Sequence, residues 1–257
     1  MLKRVLRAAA MAVIILVFIA GGRPPRTDRE LLATTIRTSR WARRGCRIMG
    51  IRVRRRGVHW PLPGRGGMLA LNHLSWIDPI IMAAIHPSVF VTSTETGEHP
   101  LLGRICAAAG CVFMERRRRQ GLSAERDRLG ILMNRLPVVI FPEATSSDGS
   151  AVLPFKSAPF AAAIAARASV SLMALRYRSL DGRRIGKRTR DRVCWYGDMT
   201  FLPHLMGVLG IGRIDADLDA VGGFDTSATD DRKTLALRAH RLIASFLHPR
   251  TMCGSSP

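Results

Sequence analysis

Residues Met68 to Pro79 read MLALNHLSWIDP: four apolar residues, the polar cluster Asn72-His73-Leu74-Ser75, then Trp76-Ile77-Asp78-Pro79. A run that is apolar throughout, rather than alternating, is the pattern of a strand covered on both faces. A second such run, Val138 to Phe141 (VVIF), passes directly into Pro142-Glu143-Ala144-Thr145-Ser146-Ser147-Asp148-Gly149. In open α/β sheets the ligand crevice lies beyond the carboxyl ends of the strands, so both polar clusters are expected to face one crevice.

Further strand-length runs occur at Val89 to Thr92, Cys111 to Met114 and Val170 to Leu175, with helical patterns between them at about 76–86, 99–109, 122–135 and 157–168. This alternation predicts an α/β fold, a mainly parallel central sheet flanked by helices with right-handed crossovers. A very basic, loop-like segment, Arg183 to Arg192, precedes a strand expected at Ile214 to Val221 and a helix from about Thr229 to Leu247. One catalytic domain over residues 50–250 is expected, after a segment 1–49 of different character.

That segment carries an N-terminal membrane anchor and a basic amphipathic helix. Ala8 to Gly22 is uncharged and bounded by Lys3, Arg4 and Arg7 before it and by Arg23, Arg26 and Arg29 after it. At about 1.5 Å per residue it is short for a hydrocarbon core of about 30 Å, so it spans with snorkelling arginines or enters one leaflet. A cleaved signal peptide and a buried core helix are the alternatives. On a helix through Leu31 to Met49, Arg37, Arg40, Arg43, Arg44 and Arg47 share one side, with Leu31, Leu32, Ala42, Cys46 and Met49 opposite. Such a helix lies in the headgroup plane, or packs on the domain with its arginines in solvent. The arginine excess downstream of the anchor places the body of the protein at the cytoplasmic face of the membrane.

The chain has 40 Lys+Arg against 19 Asp+Glu, a net charge of +21. Nucleic acid, an anionic lipid surface and an anionic substrate are the partners such a charge suits. With 6% aromatic residues and no nucleic-acid motif, a non-enzymatic binding protein is the lesser alternative, and no nucleic-acid partner is expected. Five cysteines without a Cys-x-x-Cys pair suggest neither a disulfide framework nor a metal site.

His73 stands at a strand end with a carboxylate five residues on, and imidazole is the side chain best suited to take a proton near neutral pH. Ser75-Trp76-Ile77-Asp78 reads as a capping box, Ser75 as N-cap and Asp78 at the third helical position, which would leave Asp78 able to close the helix and orient His73. The alternative is a purely structural pair. A Ser75 nucleophile is disfavoured because no Gly-x-Ser-x-Gly elbow exists in the chain.

These residues carry a resemblance. NHLSWIDP resembles the first motif (Asn-His-x-x-x-x-Asp) of the 1-acylglycerol-3-phosphate acyltransferase family, membrane-bound glycerolipid acyltransferases. Gly110-Cys-Val-Phe113-Met-Glu-Arg116 resembles the second (Gly-x-x-Phe-x-x-Arg), FPEATSSDG the third (Phe-Pro-Glu-Gly-Thr-Arg), and Leu153-Pro154-Phe155-Lys156 the segment after it. The resemblance implies an acyltransferase in which His73 is the general base and Asp78 orients it. It implies substrate-binding roles for Asn72, Gly110, Phe113, Arg116, Pro142, Glu143, Ala144, Thr145, Ser146 and Ser147. The implied partners are a membrane lipid surface, a lysolipid acceptor and the thioester of acyl carrier protein or coenzyme A as co-substrate. No metal or other cofactor is expected, and the location is the inner membrane.

Two positions depart from the family pattern. Ala144 stands in place of Gly, and Ser146 in place of the Arg usually assigned to the acceptor phosphate, a fork that serine cannot reproduce. Thr145-Ser146-Ser147-Asp148-Gly149 and the later Trp195-Tyr196-Gly197-Asp198-Met199-Thr200 look more like the branch that acylates lyso-ornithine lipid.

Overall fold

The structure is a computed structural model that describes residues 2–57, 60, 66–115 and 122–249. In chain order the elements are α1 (Leu2–Ala20), α2 (Asp28–Met49), β1 (Ile51–Arg56), β2 (Gly67–Leu71), α3 (Ile77–Ile85), β3 (Val89–Ser93), α4 (Thr94–Glu98), α5 (Leu102–Ala108), β4 (Val112–Met114) and α6 (Leu122–Arg135). They continue with β5 (Pro137–Ile140), α7 (Ala158–Ala166), β6 (Ser169–Leu180), β7 (Arg183–Arg184), α8 (Phe201–Leu209), β8 (Ile214–Asp225) and α9 (Arg232–Leu247).

The strands form one sheet in the order β1-β8-β6-β2-β5-β3-β4, with β7 folded back on β6. Pairings are parallel except β6 with β8 and β6 with β7. The sheet is thus mixed α/β and mainly parallel, as its alternating elements imply. β2 sits centrally and is buried at every position, which is why MLAL is apolar throughout. Alternate residues separate the core into two layers. Leu69, Leu71, Val139 and Met173 face α1, α2, α3 and α8, whereas Met68, Ala70, Val138 and Leu172 face α6, α7 and α9.

Four elements depart from the sequence expectations. β6 and β8 are twelve residues each, longer than the runs read from the sequence: charged residues alternate with inward ones in the second half of β6 and the first half of β8, and β8 runs on through Gly222 and Gly223 to Asp225. α8 is formed by Phe201–Leu209, where no helix is expected. β1, for which no element is expected, alternates Ile51 and Val53 with arginines and forms by pairing with β8.

The expected membrane-crossing segment is not seen, and the basic amphipathic helix packs on the domain. Among the described residues no helix is long and apolar enough to cross a membrane. α1 starts at Leu2, so its first turns carry Lys3, Arg4 and Arg7. It lies on the domain: Met11 and Phe18 are buried, the Phe18 ring meets Trp41 edge-on at 6.4 Å, and Arg7 donates to the carbonyls of Ile211 and Gly212. α2 packs through Thr34, Thr35, Thr38, Ser39, Cys46 and Met49 against the domain, while Leu32 and Ile36 are exposed. Of the residues opposite the arginines, Leu31, Cys46 and Met49 are therefore covered by protein and unavailable to headgroups, while Leu32 stays exposed. Small hydroxyl residues are prominent among the buried positions of α2, which packs against α3.

The thiols of Cys46 and Cys194 are buried and pushed by that burial up to about 12. Cys106 and Cys111 hydrogen-bond each other as free thiols, and Cys253 lies outside the described residues.

Candidate active site

The first polar cluster leaves β2 at the centre of the sheet. Asp78 is wholly buried at the start of α3. Its Oδ2 lies 2.8 Å from Nδ1 of His73 and accepts the backbone N–H groups of Leu74 at 2.6 Å and Ser75 at 2.8 Å. Its Oδ1 accepts the Tyr177 hydroxyl at 2.6 Å. Two backbone donors on the same oxygen require it to be an acceptor, so the His73 nitrogen facing it is the protonated one. That leaves Nε2 with its lone pair, and among the described residues nothing hydrogen-bonds it. The imidazole is 21% exposed and stacks on Phe141, ring centroids 4.2 Å apart.

The expected capping box is half formed. Asp78 reaches back to the Ser75 N–H, but the Ser75 hydroxyl makes no hydrogen bond and is fully buried, and α3 opens one residue later. Tight wrapping of the 73–75 loop around Asp78 replaces the serine cap. The burial of Ser75 also removes it as a nucleophile.

The second cluster lies against the first. Glu143 is 3% exposed, with Oε1 on the His73 N–H at 2.6 Å and Oε2 on the Leu153 N–H at 2.7 Å. Burial pushes its carboxyl up to about 7, against the pull of those two N–H groups. The Ser147 N–H donates to the His73 carbonyl at 3.0 Å, and the Lys156 N–H to that of Pro142 at 2.8 Å. Ala144 takes the left-handed conformation, φ 63°, that glycine adopts without cost. Thr145 is exposed.

The structure redistributes several expected substrate contacts. The Asn72 amide is spent on Leu175 of β6, Nδ2 to its carbonyl at 3.0 Å and Oδ1 from its N–H at 2.8 Å. Both oxygens of Glu143 are spent on backbone. These two residues hold the loops rather than offer free groups to a ligand. Gly110 is a packing position: it ends α5 at φ 72°, and a Cβ there would lie 3.1 Å from Thr34. Phe113 sits on the sheet's edge strand β4, paired with Thr92, its ring against Gly97. Arg116 lies outside the described residues, as do Arg117 to Arg119.

A segment that motif reading treats only in passing clasps both loops. The Trp195 N–H donates to the Leu74 carbonyl at 2.8 Å, and the Trp195 carbonyl accepts the Ser146 hydroxyl at 2.5 Å. Arg190 pairs with Asp148 at 2.6 Å. The Ser150 hydroxyl and N–H, with Arg190, hold the Asp148 carboxyl below its ordinary range. Trp76 Nε1 donates to His204 Nδ1 at 3.0 Å, and His204 Nε2 reaches the Cys194 carbonyl at 2.9 Å. Burial lowers the His204 pKa, in keeping with this neutral relay. Beside the loops lies a cleft of about 360 Å³ whose walls include Asn72, Glu143, Arg176, Tyr177, Lys187 and Arg190. It flanks the His73 loop; the imidazole itself is not among its walls.

Of the residues that matter here, Tyr177 escapes motif reading, and Phe141, Trp195 and Arg190 stand in quoted segments without an assigned role. Phe141 is legible as the residue immediately before Pro142-Glu143. Tyr177 offers only the weaker signal of a lone tyrosine in an apolar strand.

The acyltransferase family matches residues 50–177. The lyso-ornithine lipid O-acyltransferase of Rhizobium meliloti (strain 1021) is 31% identical over 82% of this chain and 74% of that protein. The Brucella abortus (strain 2308) protein of the same name is 33% identical over 78% of each chain. The 1-acyl-sn-glycerol-3-phosphate acyltransferase of Neisseria gonorrhoeae is 32% identical over 73% and 70%. The crystal structure of the 1-acyl-sn-glycerophosphate (LPA) acyltransferase PlsC from Thermotoga maritima shares the fold, with a TM-score of 0.63 at 14% identity, covering 99% of this chain and 96% of that one. Relatives sharing about a third of their residues over most of both chains, and a family match that contains the His73–Asp78 pair, make this chain a member of the acyltransferase family and an acyltransferase.

Proposed function

We propose that this acyltransferase moves a fatty acyl chain from the thioester of acyl carrier protein or coenzyme A to the hydroxyl of a lysolipid, with lyso-ornithine lipid as the acceptor. The observation that carries the chemistry is the His73 imidazole fixed by a buried Asp78 at 2.8 Å. Nε2 takes the proton of the acceptor hydroxyl as its oxygen attacks the thioester carbonyl. Collapse of the tetrahedral intermediate forms the ester, breaks the C–S bond and returns the proton to the departing thiolate. Asp78 holds the tautomer and stabilises the imidazolium that forms in between. The reaction as written uses no metal or cofactor beyond the co-substrate.

The acceptor assignment rests on Ser146. Its hydroxyl is committed to the Trp195 carbonyl, so the position gives no cation to a phosphate, and lyso-ornithine lipid has none. The Rhizobium and Brucella relatives carry that activity in their names. The Neisseria relative supports 1-acyl-glycerol-3-phosphate as the second reading.

Membrane contact is assigned to α1. Its outward side exposes Leu2, Val5, Leu6, Val13, Leu16 and Val17, an apolar stripe at helical spacing that suits the headgroup–acyl boundary of one leaflet. Residues 50–250 then form the acyltransferase domain, seated by residues 1–49 on the cytoplasmic side of the inner membrane.

The test is to incubate the protein in vesicles with labelled acyl donor and a panel of lysolipids, identifying products by mass. Acylated lyso-ornithine lipid is expected. Product from lysophosphatidate alone overturns the acceptor assignment, and no product from any lysolipid overturns the function.

A further inference from the structure

The face of the sheet opposite α1 and α2 changes character along its width. Across β2, β5 and the first half of β6 it is apolar and covered by α6, α7 and α9. Across β1, the first half of β8 and the second half of β6 it is charged. In β1, Arg52, Arg54 and Arg56 alternate with the inward Ile51 and Val53; in β8, Asp215, Asp217 and Asp219 alternate with Ile214, Ala216 and Leu218. The parallel register sets Arg52 beside Asp215, Arg54 beside Asp217 and Arg56 beside Asp219.

Opposite charges in register stabilise a sheet, but here they do not cancel. Arg54 at 3.0 Å, Arg56 at 3.8 Å and Arg178 of β6 at 3.3 Å converge on Asp217. The shared carboxylate is 2% exposed, whereas the three arginine side chains are 46%, 46% and 43% exposed. Arg52 is exposed beside Asp215, whose carboxylate is already taken by Arg213 and the Ser179 hydroxyl. The anions therefore lie beneath and the guanidinium groups on top, and a partner meets a cationic surface.

We infer that this arginine-topped face of β1, β8 and β6 is the docking surface for an acidic protein that carries the acyl thioester, a reading that rests on the acyl transfer proposed above. A bilayer is the poorer fit, because the α1 stripe and this surface lie on opposite sides of the sheet, and a membrane touching one leaves the other in water. An acidic protein fits the charge, which steers encounter and fixes orientation, and arginine is a residue enriched in protein interfaces. Position supports the same partner. β6 runs parallel to β2, so its distal half lies at the end of the sheet where His73 leaves β2. Arg176, next to this surface on β6, is also a wall of the cleft beside Asn72 and Glu143.

The experiment uses the full chain with Arg52→Glu and Arg56→Glu together, leaving the Arg54 and Arg178 contacts to Asp217 in place. Direct binding to acylated acyl carrier protein is measured, and kcat/KM is measured with that donor and with acyl-coenzyme A. Carrier affinity and carrier-dependent kcat/KM are each expected to fall tenfold or more, with a weaker salt dependence, while the coenzyme A reaction stays within twofold. Arg52→Gln with Arg56→Gln removes charge without reversing it; a loss of about threefold with the carrier is expected, and it serves if the reversed variant does not fold. Unchanged carrier binding, equal loss with both donors, or loss of anionic-vesicle binding in place of carrier binding overturns the proposal. Wild-type protein that binds the carrier through these arginines yet transfers no acyl group refutes the function and leaves the docking surface standing.

Discussion

Tyr177 on β6 donates its hydroxyl to Oδ1 of Asp78 at 2.6 Å, so the carboxylate that orients His73 is itself held from the neighbouring strand. Burial and the adjacent carboxylate raise the Tyr177 pKa well above its ordinary value, which keeps the hydroxyl a donor. Tyr177→Phe is expected to lower kcat about tenfold with little change in KM, the loss of one hydrogen bond to a charged group. Asp78→Asn should cost about a thousandfold, because an amide can hold the wrong tautomer. His73→Ala should abolish transfer while far-UV circular dichroism stays native; full activity of that variant would falsify the assignment of the base.

Ser146 braces Trp195, and an arginine there breaks the brace while supplying a phosphate fork. Ser146→Arg is expected to raise the ratio of kcat/KM for lysophosphatidate over lyso-ornithine lipid by about tenfold. Ser146→Ala should leave that ratio alone and lower stability by about 1 kcal/mol. A ratio that does not move in Ser146→Arg counts against position 146 as an acceptor determinant.

Glu143 couples stability to pH. Its carboxyl is raised from an ordinary 4.5 to about 7, so the folded state holds a proton that the unfolded chain releases. The stabilisation is fully present below about 4.5 and is lost as pH rises through about 7, at most about 3 kcal/mol in all. Thermal melting of the wild type should therefore fall more steeply between pH 5 and pH 8 than that of Glu143→Gln. Parallel curves would show that Glu143 stays ionised throughout.

Ala144 occupies a backbone conformation with φ 63°. Ala144→Gly removes the Cβ strain but frees the unfolded chain, so the net gain is expected to be up to about 1 kcal/mol. Urea midpoints at a constant m value measure it, and a loss of stability would mean that the methyl packs better than its conformation costs.

The α1 stripe predicts membrane behaviour. Val13→Asp with Leu16→Asp places two charges on the exposed side without touching the buried Met11 and Phe18. Flotation with anionic vesicles at high salt should fall severalfold while melting is unchanged. Undiminished flotation would assign the lipid contact to another surface.

The sequence makes the centre of the sheet plain and its edge obscure, for one physical reason. β2, β5 and the first half of β6 are buried on both faces, so their identity is written in their own residues. β1 is written half in arginine, and those arginines make sense only beside Asp215, Asp217 and Asp219, roughly 160 residues away. The site divides in the same manner. His73, Asp78 and Glu143 stand in two short motifs, and the structure brings them together. Tyr177 and Trp195 act through a side chain and a peptide group from the downstream half, where the resemblance marks the Trp195 block but no spacing reveals either contact. The N-terminal segment stays open in sequence because an uncharged run between arginines looks alike whether it crosses a bilayer or lies on a protein. Arg7 hydrogen-bonded to Ile211 and Gly212 distinguishes the two.

The pairing of the first strand with the last has a consequence for synthesis. Among the described residues β1 takes its only strand partner from β8, so Ile51 does not meet Ile214 until the latter has been made. At roughly 5 to 20 residues per second that interval is on the order of 8 to 30 s. Throughout it the nascent chain carries an unpaired strand edge, a template for pairing with another chain. The alternating arginines of β1 repel a second copy of themselves, and so guard the nascent chain against aggregation before they have any acidic partner of their own.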